Sequence, residues 1–506
     1  MKKRVILLTI DAWGFSVDKK QGNAIYDSGS STIDIIASKH PAFLLKTHGI
    51  ISGMTKGVAG NTQTGHHTIG AGRTDILPNI KISKAINNNV LYSKMKPLID
   101  GYPEKVHVMG LLSDRNNICD MEKFKAYIEF CEYKSVFVHL ILDGIDSKPF
   151  SGRSLIHELE TGYYNNTSVQ IGSVVGRNYV MREEKKTYRI EETFEVMTKG
   201  DVKPITPKSY VYRMHRRGIN DADIPPALFN EEGRILPSEP LLFANEKSEG
   251  FYFLFEKFLY RNKCLSMENY ANNTAIRSII GYDKLKNHLP EVLCKAGIKQ
   301  VYIAPKMEKD GSNIYLKGLN FDQQRSEFRL CVSDYPDIFQ YEKITPSTLV
   351  KAAIKMIEKS YDFVLCNIPY LDHALHNDTY DVICDKVLEI DEAVCLLYNW
   401  CLENHTTLII TSPFGGIEAC HAGEIDLKTE IESRKHTKNP VPFILCDGKN
   451  YIGKFILDDM FTIQDVTPTI LTYLGLDVPE EMTGQNLMYL YDKLFLNKRN
   501  ISEIFY

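Results

Sequence analysis

Hydrophobic positions along this chain fall in short unbroken runs instead of alternating with polar ones. Such runs occupy residues 5–10, 106–112, 136–142, 169–175, 301–304, 362–368, 407–412 and 441–445. A strand covered on one face alternates apolar with polar, whereas an unbroken run is covered on both faces, as in parallel sheets wrapped by helices. Between the runs, apolar residues recur at helical spacing over residues 33–45, 80–95, 121–133, 153–164 and 465–476. Strand and helix patterns interleaved in this way predict the α/β class. Residues 188–248 are polar and carry Pro204, Pro207, Pro225 and Pro226, a pattern that says little about their structure. The aromatic stretch 252–260 reads as core packing.

With 506 residues the chain exceeds what one hydrophobic core serves, so at least two domains are expected. The simplest organisation is one sheet built from both chain ends, residues 1–75 and 301–506, with a second α/β domain inserted as residues 76–300. Hydrophobic residues make up 43%, charged ones 25%, and the formal net charge is -4, an ordinary globular profile that implies no nucleic-acid partner. No apolar run is long enough to cross a bilayer, and the basic start Lys2-Lys3-Arg4 leads into a run that stops at Asp11. No signal peptide, no membrane partner and a cytoplasmic location are therefore expected. Eleven cysteines without closely paired spacing suit a reducing compartment.

The candidate chemistry starts at Gly60-Asn61-Thr62-Gln63-Thr64-Gly65-His66-His67-Thr68-Ile69-Gly70-Ala71-Gly72-Arg73. Asn61 and Thr62 are residue types that open helices, and a helix start favours an anion such as phosphate. A Thr62 hydroxyl there could attack phosphorus if a metal ion lowered its pKa; alternatively Thr62 only caps the helix. Asp11 follows the first strand, where open α/β sheets bind ligands. Asp372 and His376 are four apart, so on a helix they share a face and can hold one divalent ion such as manganese or zinc. His436 precedes the run at 441–445 and is unremarkable alone.

Together with Val466-Thr467-Pro468-Thr469-Ile470-Leu471 and Glu480-Glu481-Met482-Thr483-Gly484, these residues resemble the cofactor-independent phosphoglycerate mutases of the alkaline phosphatase superfamily. The resemblance covers nearly the whole chain. It implies an alkaline-phosphatase-like domain from both termini, an inserted transferase-like substrate domain, a phosphoserine intermediate, two manganese ions and a monomer. By that resemblance Thr62 stands at the nucleophilic serine, Asp372, His376 and His436 match the ligands of the first metal, and Asp11 matches a ligand of the second. Asp146 and Arg177 match substrate-binding positions of the insert.

The chain also departs from the pattern. The second metal's Asp-His pair reads Pro413-Phe414, and neither can ligate an ion; Glu418 and His421 could replace them but read more simply as surface-loop residues. The loop that carries a catalytic His reads Arg115-Asn116-Asn117-Ile118, and one arginine is replaced by Ile145. Another falls on Glu183 with Arg182 beside it, paired arginines are missing around Phe243 to Lys247, and a lysine falls on Glu308 with Lys309 adjacent. Arginine forks recognise phosphate and carboxylate bidentately, so ordinary phosphoglycerate mutase activity is expected to be weak or absent. The expected function is phosphoryl transfer or phosphoester cleavage on a small phosphorylated metabolite through Thr62. The alternative is an inactive metal- or ligand-binding relative acting as scaffold or regulator.

Overall fold

The computed structural model describes residues 3–16, 22–54, 56–75, 78–101, 103–113, 121–145, 147–163, 166–180, 187–245, 252–259, 261–266, 277–278, 285–305, 327–331, 344–420, 435–449, 451 and 453–496. The chain divides into two compact units, Met1–Leu77 with Lys284–Tyr506, and Pro78–Asp283. Residues 284–300, expected with the insert, belong to the first unit: the helix Leu289–Lys295 buries Leu289 and Leu293 in the same core as Tyr302 and Phe363. Among the described residues, no helix is long and apolar enough to cross a membrane.

In chain order the strands are β1 Val5–Ile10, β2 Ala42–Lys46, β3 Lys105–Leu112, β4 Ser135–Leu142, β5 Val169–Gly176, β6 Ala227–Leu228, β7 Pro240–Phe243, β8 Lys263–Ser266, β9 Arg277–Ser278, β10 Gln300–Ala304, β11 Glu327–Cys331, β12 Phe363–Ile368, β13 Thr407–Thr411, β14 Val441–Cys446 and β15 Phe455–Thr462. The first unit holds an eight-stranded sheet of order β11-β10-β12-β1-β13-β14-β2-β15. Its strand β1 sends Val5 and Leu7 into one core and Ile6, Leu8 and Ile10 into the other, which is why the run carries no polar residue before Thr9.

The register positions the site. Val5 pairs with Phe363 and Thr407, and Thr9 with Asn367 and Thr411, so the carboxyl ends of β1, β12 and β13 lie level. Strand β14 runs antiparallel to β13 and β2, with Thr411 opposite Phe443 and Leu45 opposite Val441. The segment entering β14 therefore reaches the same sheet edge as the segments leaving the other strands.

The helical pattern at 33–45 is only half right. The helix Thr32–Ala37 ends before Pro41, and residues 42–46 form β2. Proline cannot continue the helix, and the unbroken Ala42-Phe43-Leu44-Leu45 run suits a strand buried on both faces. Residues 188–248, whose pattern says little, contain most of the helix Thr187–Lys199, the helix Pro207–His215 and the strands β6 and β7. In the aromatic stretch, Phe255 and Phe258 are fully buried, as core packing requires.

The second unit holds a seven-stranded sheet, β6-β5-β4-β3-β7-β8-β9, crossed by a polar chain. His107 Nε2 lies 2.9 Å from Glu239 Oε2 and its Nδ1 2.9 Å from His139 Nε2, while His139 Nδ1 lies 2.8 Å from Ser173 Oγ. Glu239 is an acceptor, so each bond has one direction: Ser173 donates to His139, His139 to His107 and His107 to Glu239. Burial pushes both imidazoles below the usual histidine range, against the pull of Glu239 on His107. Burial would raise Glu239, but His107, the Leu236 amide and Lys105 outweigh it and hold the carboxyl at about 2.

A histidine whose folded pKa is depressed contributes stability above its unfolded value of about 6.5, and loses it as the unfolded chain takes up protons below that pH. Glu239 adds stability above its unfolded value of 4.5 that is lost as pH falls towards about 2. The urea midpoint of this unit, followed by pulsed hydrogen exchange in β3, β4 and β5, should therefore fall between pH 7 and pH 5. A midpoint that stays level or rises would contradict neutral burial of His107 and His139.

Candidate metal centre

Four chain segments meet at the carboxyl edge of the first sheet. Thr62 is the first residue of the helix Thr62–Ala71, whose N-cap Asn61 accepts from the Thr64 amide at 2.9 Å while the Thr64 hydroxyl accepts from the Asn61 amide at 3.0 Å. Such a reciprocal cap contributes about 1 kcal/mol and fixes where the helix starts. Asp372 and His376 stand one turn apart on the helix Tyr370–Asn377 after β12, and His436 precedes β14. The carboxylate of Asp372 and the imidazoles of His376 and His436 offer ligand atoms within 4.8 Å of one another.

The hydrogen positions follow from the neighbours. His436 Nδ1 lies 3.0 Å from the Gly60 carbonyl, which only accepts, so Nδ1 carries the proton. The Nε2 lone pair of a neutral ring then faces Asp372 Oδ1 at 2.9 Å and His376 Nε2 at 3.1 Å, with His376 Nε2 3.6 Å from the same carboxylate oxygen. Lone pairs so close repel unless positive charge lies among them. A proton on one nitrogen relieves only some of these contacts, whereas a cation at the centre satisfies all three. Ligand atoms about 2.1 Å from a tetrahedral ion are about 3.4 Å apart, close to the separations here. The residues present fit one divalent ion, and the carbonyl behind His436 is the outer-shell partner that a ligating imidazole usually has.

Thr62 Oγ1 donates to Asp372 Oδ2 at 3.3 Å, which places the hydroxyl beside the centre. Burial would raise the Asp372 carboxyl, but His436, His376 and Thr62 outweigh it and hold it below the usual range. Burial lowers His376, which favours the neutral, ligating form. Asp11 stands outside the three-donor cluster. It is fully buried, its Oδ1 lies 3.1 Å from His66 Nε2, and burial raises its pKa against the opposing pull of His66. Its Oδ2 has no hydrogen-bond partner among the described residues. His66 was missed as a partner; the signal was its place one turn after Thr62 on the same helix face.

Among the described residues, the donor set does not fit a second ion of the kind the resemblance implies. Phe414 is fully buried with its ring centroid 4.3 Å from that of His436, so a hydrophobic wall stands where a ligand pair was expected. Glu418 is not a surface-loop residue. It is 2% exposed, and both its oxygens are taken by hydrogen bonds from Gly14, Gly416, Thr437 and Asn439. His421 lies outside the described residues, as do Asp146, Arg182 and Lys309.

In the second unit, described by itself, Arg177 is not an open anion hook. Its Nη1 lies 2.8 Å from Oδ1 of buried Asp143, whose Oδ2 accepts from Ser113 Oγ at 2.8 Å. Ser113, Asp143 and Arg177 follow β3, β4 and the end of β5, the carboxyl edge of that sheet. Sequence reading singled out Asp146 and missed Asp143, although it ends a buried strand.

A family model described as the metalloenzyme superfamily matches residues 3–478. The 2,3-bisphosphoglycerate-independent phosphoglycerate mutase of Gracilaria tenuistipitata var. liui is 27% identical over 510 residues, covering 96% of this chain and 98% of its own. That of Clostridioides difficile is 28% identical over 522 residues, covering 96% and 99%. The solved structure of Leishmania mexicana phosphoglycerate mutase at low cobalt concentration matches with a TM-score of 0.74 at 18% identity, over 96% of this chain and 97% of that one. That likeness shows the alkaline-phosphatase-like α/β fold.

The site leaves no room at one backbone contact. A Cβ on Gly65 would lie 2.4 Å from the Pro413 carbonyl oxygen, so the helix bearing Thr62 touches the loop before Phe414 directly. Gly65→Ala should destabilise by about 1–3 kcal/mol in urea unfolding. Gly162→Ala, with nothing within 4 Å of the added carbon, should be neutral or slightly stabilising. Equal effects of the two substitutions would contradict this contact.

Proposed function

The chain belongs to the metalloenzyme superfamily, and on that footing we propose that it transfers or cleaves a phosphoryl group of a small phosphorylated metabolite through Thr62, using a divalent cation. The observation that carries this reading is the convergence of Asp372, His376 and His436 beside a hydroxyl that opens a helix. Manganese suits the mixed oxygen and nitrogen donors. A bound ion supplies Lewis-acid polarisation of a phosphoryl oxygen.

The chain's own residues do the rest. Thr62 Oγ1 forms the bond to phosphorus as the bond from phosphorus to the leaving oxygen breaks. The hydrogen bond to Asp372 Oδ2 orients the hydroxyl, its proton departs to solvent, the leaving oxygen takes a proton from solvent, and water or an acceptor hydroxyl then displaces Thr62 from phosphorus. The first-turn amides and positive end of the helix Thr62–Ala71 favour the transferred oxyanion. Gly60 and Phe414 hold the His436 ring in its ligating orientation.

Two observations separate this proposal from an ordinary phosphoglycerate mutase. Phe414 supports a centre of one ion instead of two. The Arg177 guanidinium is partly neutralised by Asp143, which supports a weakened phosphate clamp in the inserted unit, the proposed substrate domain. Phe414 also favours a second reading, an inactive metal-binding relative that serves as scaffold or regulator. The bond from Thr62 to Asp372 favours the enzyme, since a scaffold needs no hydroxyl at that position.

Elemental analysis should find one divalent ion per chain, lost in His376→Ala. Hydrolysis of p-nitrophenyl phosphate with manganese should fall about a thousandfold or more in Thr62→Ala, while interconversion of 3-phosphoglycerate and 2-phosphoglycerate should be barely detectable. Turnover indifferent to the Thr62 substitution would remove the nucleophile from the proposal, and brisk interconversion would overturn its substrate assignment.

A further inference from the structure

Glu418 is a carboxylate buried to 2% exposure, with no ion pair to it among the described residues. A buried charge is expensive unless several donors meet it. Here four do. Oε2 accepts from the Gly14 amide at 3.1 Å and the Gly416 amide at 2.8 Å; Oε1 accepts from Asn439 Nδ2 at 3.0 Å and from the Thr437 hydroxyl. The donors come from three separate segments. Gly14 follows Asp11 on the turn after β1, Gly416 follows Phe414 after β13, and Thr437 adjoins His436.

The fit around the carboxylate is tight. A Cβ on Gly14 would lie 2.2–2.4 Å from the carboxylate atoms, and one on Gly415 would lie 2.8 Å from Oε1. Thr437 is also tied through its amide to the Gly415 carbonyl at 2.9 Å, and Phe15 to the Pro440 carbonyl at 2.8 Å. The segment bearing His436 is thus laced to the other two loops, and the Glu418 side chain bonds to all three.

We infer that Glu418 is a positioning residue for the metal centre, fixing His436 through Thr437 and Asn439 and fixing Phe414 against its ring. This inference rests on the metal reading of the preceding section. Without the carboxylate, Thr437 and Asn439 lose their shared acceptor, and on the side away from Asp372 and His376 the His436 ring is held by the Gly60 carbonyl and the face of Phe414. A side chain that merely stabilises the fold would lower the melting temperature and leave a saturated metal site unchanged. A positioning side chain alters the site itself.

The test is Co²⁺ binding to the full chain by calorimetry, with the visible absorption of the saturated protein and the melting temperature of the metal-free protein measured alongside. Glu418→Ala should weaken Co²⁺ affinity about 10–100-fold and change the visible spectrum at saturation. Gly14→Ala, which pushes on the carboxylate, should shift both in the same direction; Thr437→Val removes one of the four bonds, keeps the reading decisive should Glu418→Ala fail to fold, and should have a smaller effect of the same kind. Unchanged affinity and spectrum in the folded variants, with binding abolished in His376→Ala, would overturn this inference alone. No binding by the unaltered protein would overturn the metal reading and this inference with it.

Discussion

His436 Nε2, Asp372 Oδ1 and His376 Nε2 crowd within 2.9–3.6 Å of one another at the carboxyl edge of the first sheet, an arrangement that a cation among them would relieve. Left free, a partly exposed imidazole would rotate away or bind water. The Gly60 carbonyl fixes its tautomer, Phe414 blocks one face and the loops behind it are tied together. Those restraints hold the three donors together in one arrangement.

The restraints depend on strand register. Thr62, Asp372, His376 and His436 come together because β12 and β13 end level and β14 begins at the same edge. Slipping one pairing by a residue would exchange the two cores of the sheet and move its loop by one position, so core packing and site assembly share one constraint. The turn after Asp11 carries a sign of this. Ala12 adopts a left-handed φ of 65°, a conformation that costs about 1 kcal/mol for a residue with a Cβ, and its carbonyl accepts from Ile417 at 3.1 Å.

The two sheets treat polar residues in contrasting ways. The first gathers its donors at the carboxyl edge, where a cation and solvent can meet them. The second buries a one-directional chain from Ser173 through His139 and His107 to Glu239 in the sheet itself, where every group is satisfied and a gained proton has no favourable place. Burial alone therefore does not mark a functional imidazole. His139 is fully buried and hydrogen-bonds within the sheet, while His376 is half-exposed and lies in the three-donor cluster.

Much of this was legible in the residues. Unbroken apolar runs gave strands covered on both faces, Asn61 and Thr62 gave a capped helix start, and the spacing of Asp372 and His376 placed two donors on one helical face. Local rules sufficed because each depends on residues within a turn or a strand. Pro41, the strand after it and the boundary near 284 escaped because their state depends on partners far along the chain. Glu418 looked like a loop residue, since nothing local reveals that Gly14, Thr437 and Asn439 converge on it. The sequence by itself determined which residues can ligate, cap and pack. Only the tertiary structure decided that His436 turns its bare nitrogen towards Asp372, that Asp11 turns to His66 and that Phe414 packs its ring against His436. Those outcomes are set by register and by contacts between segments hundreds of residues apart.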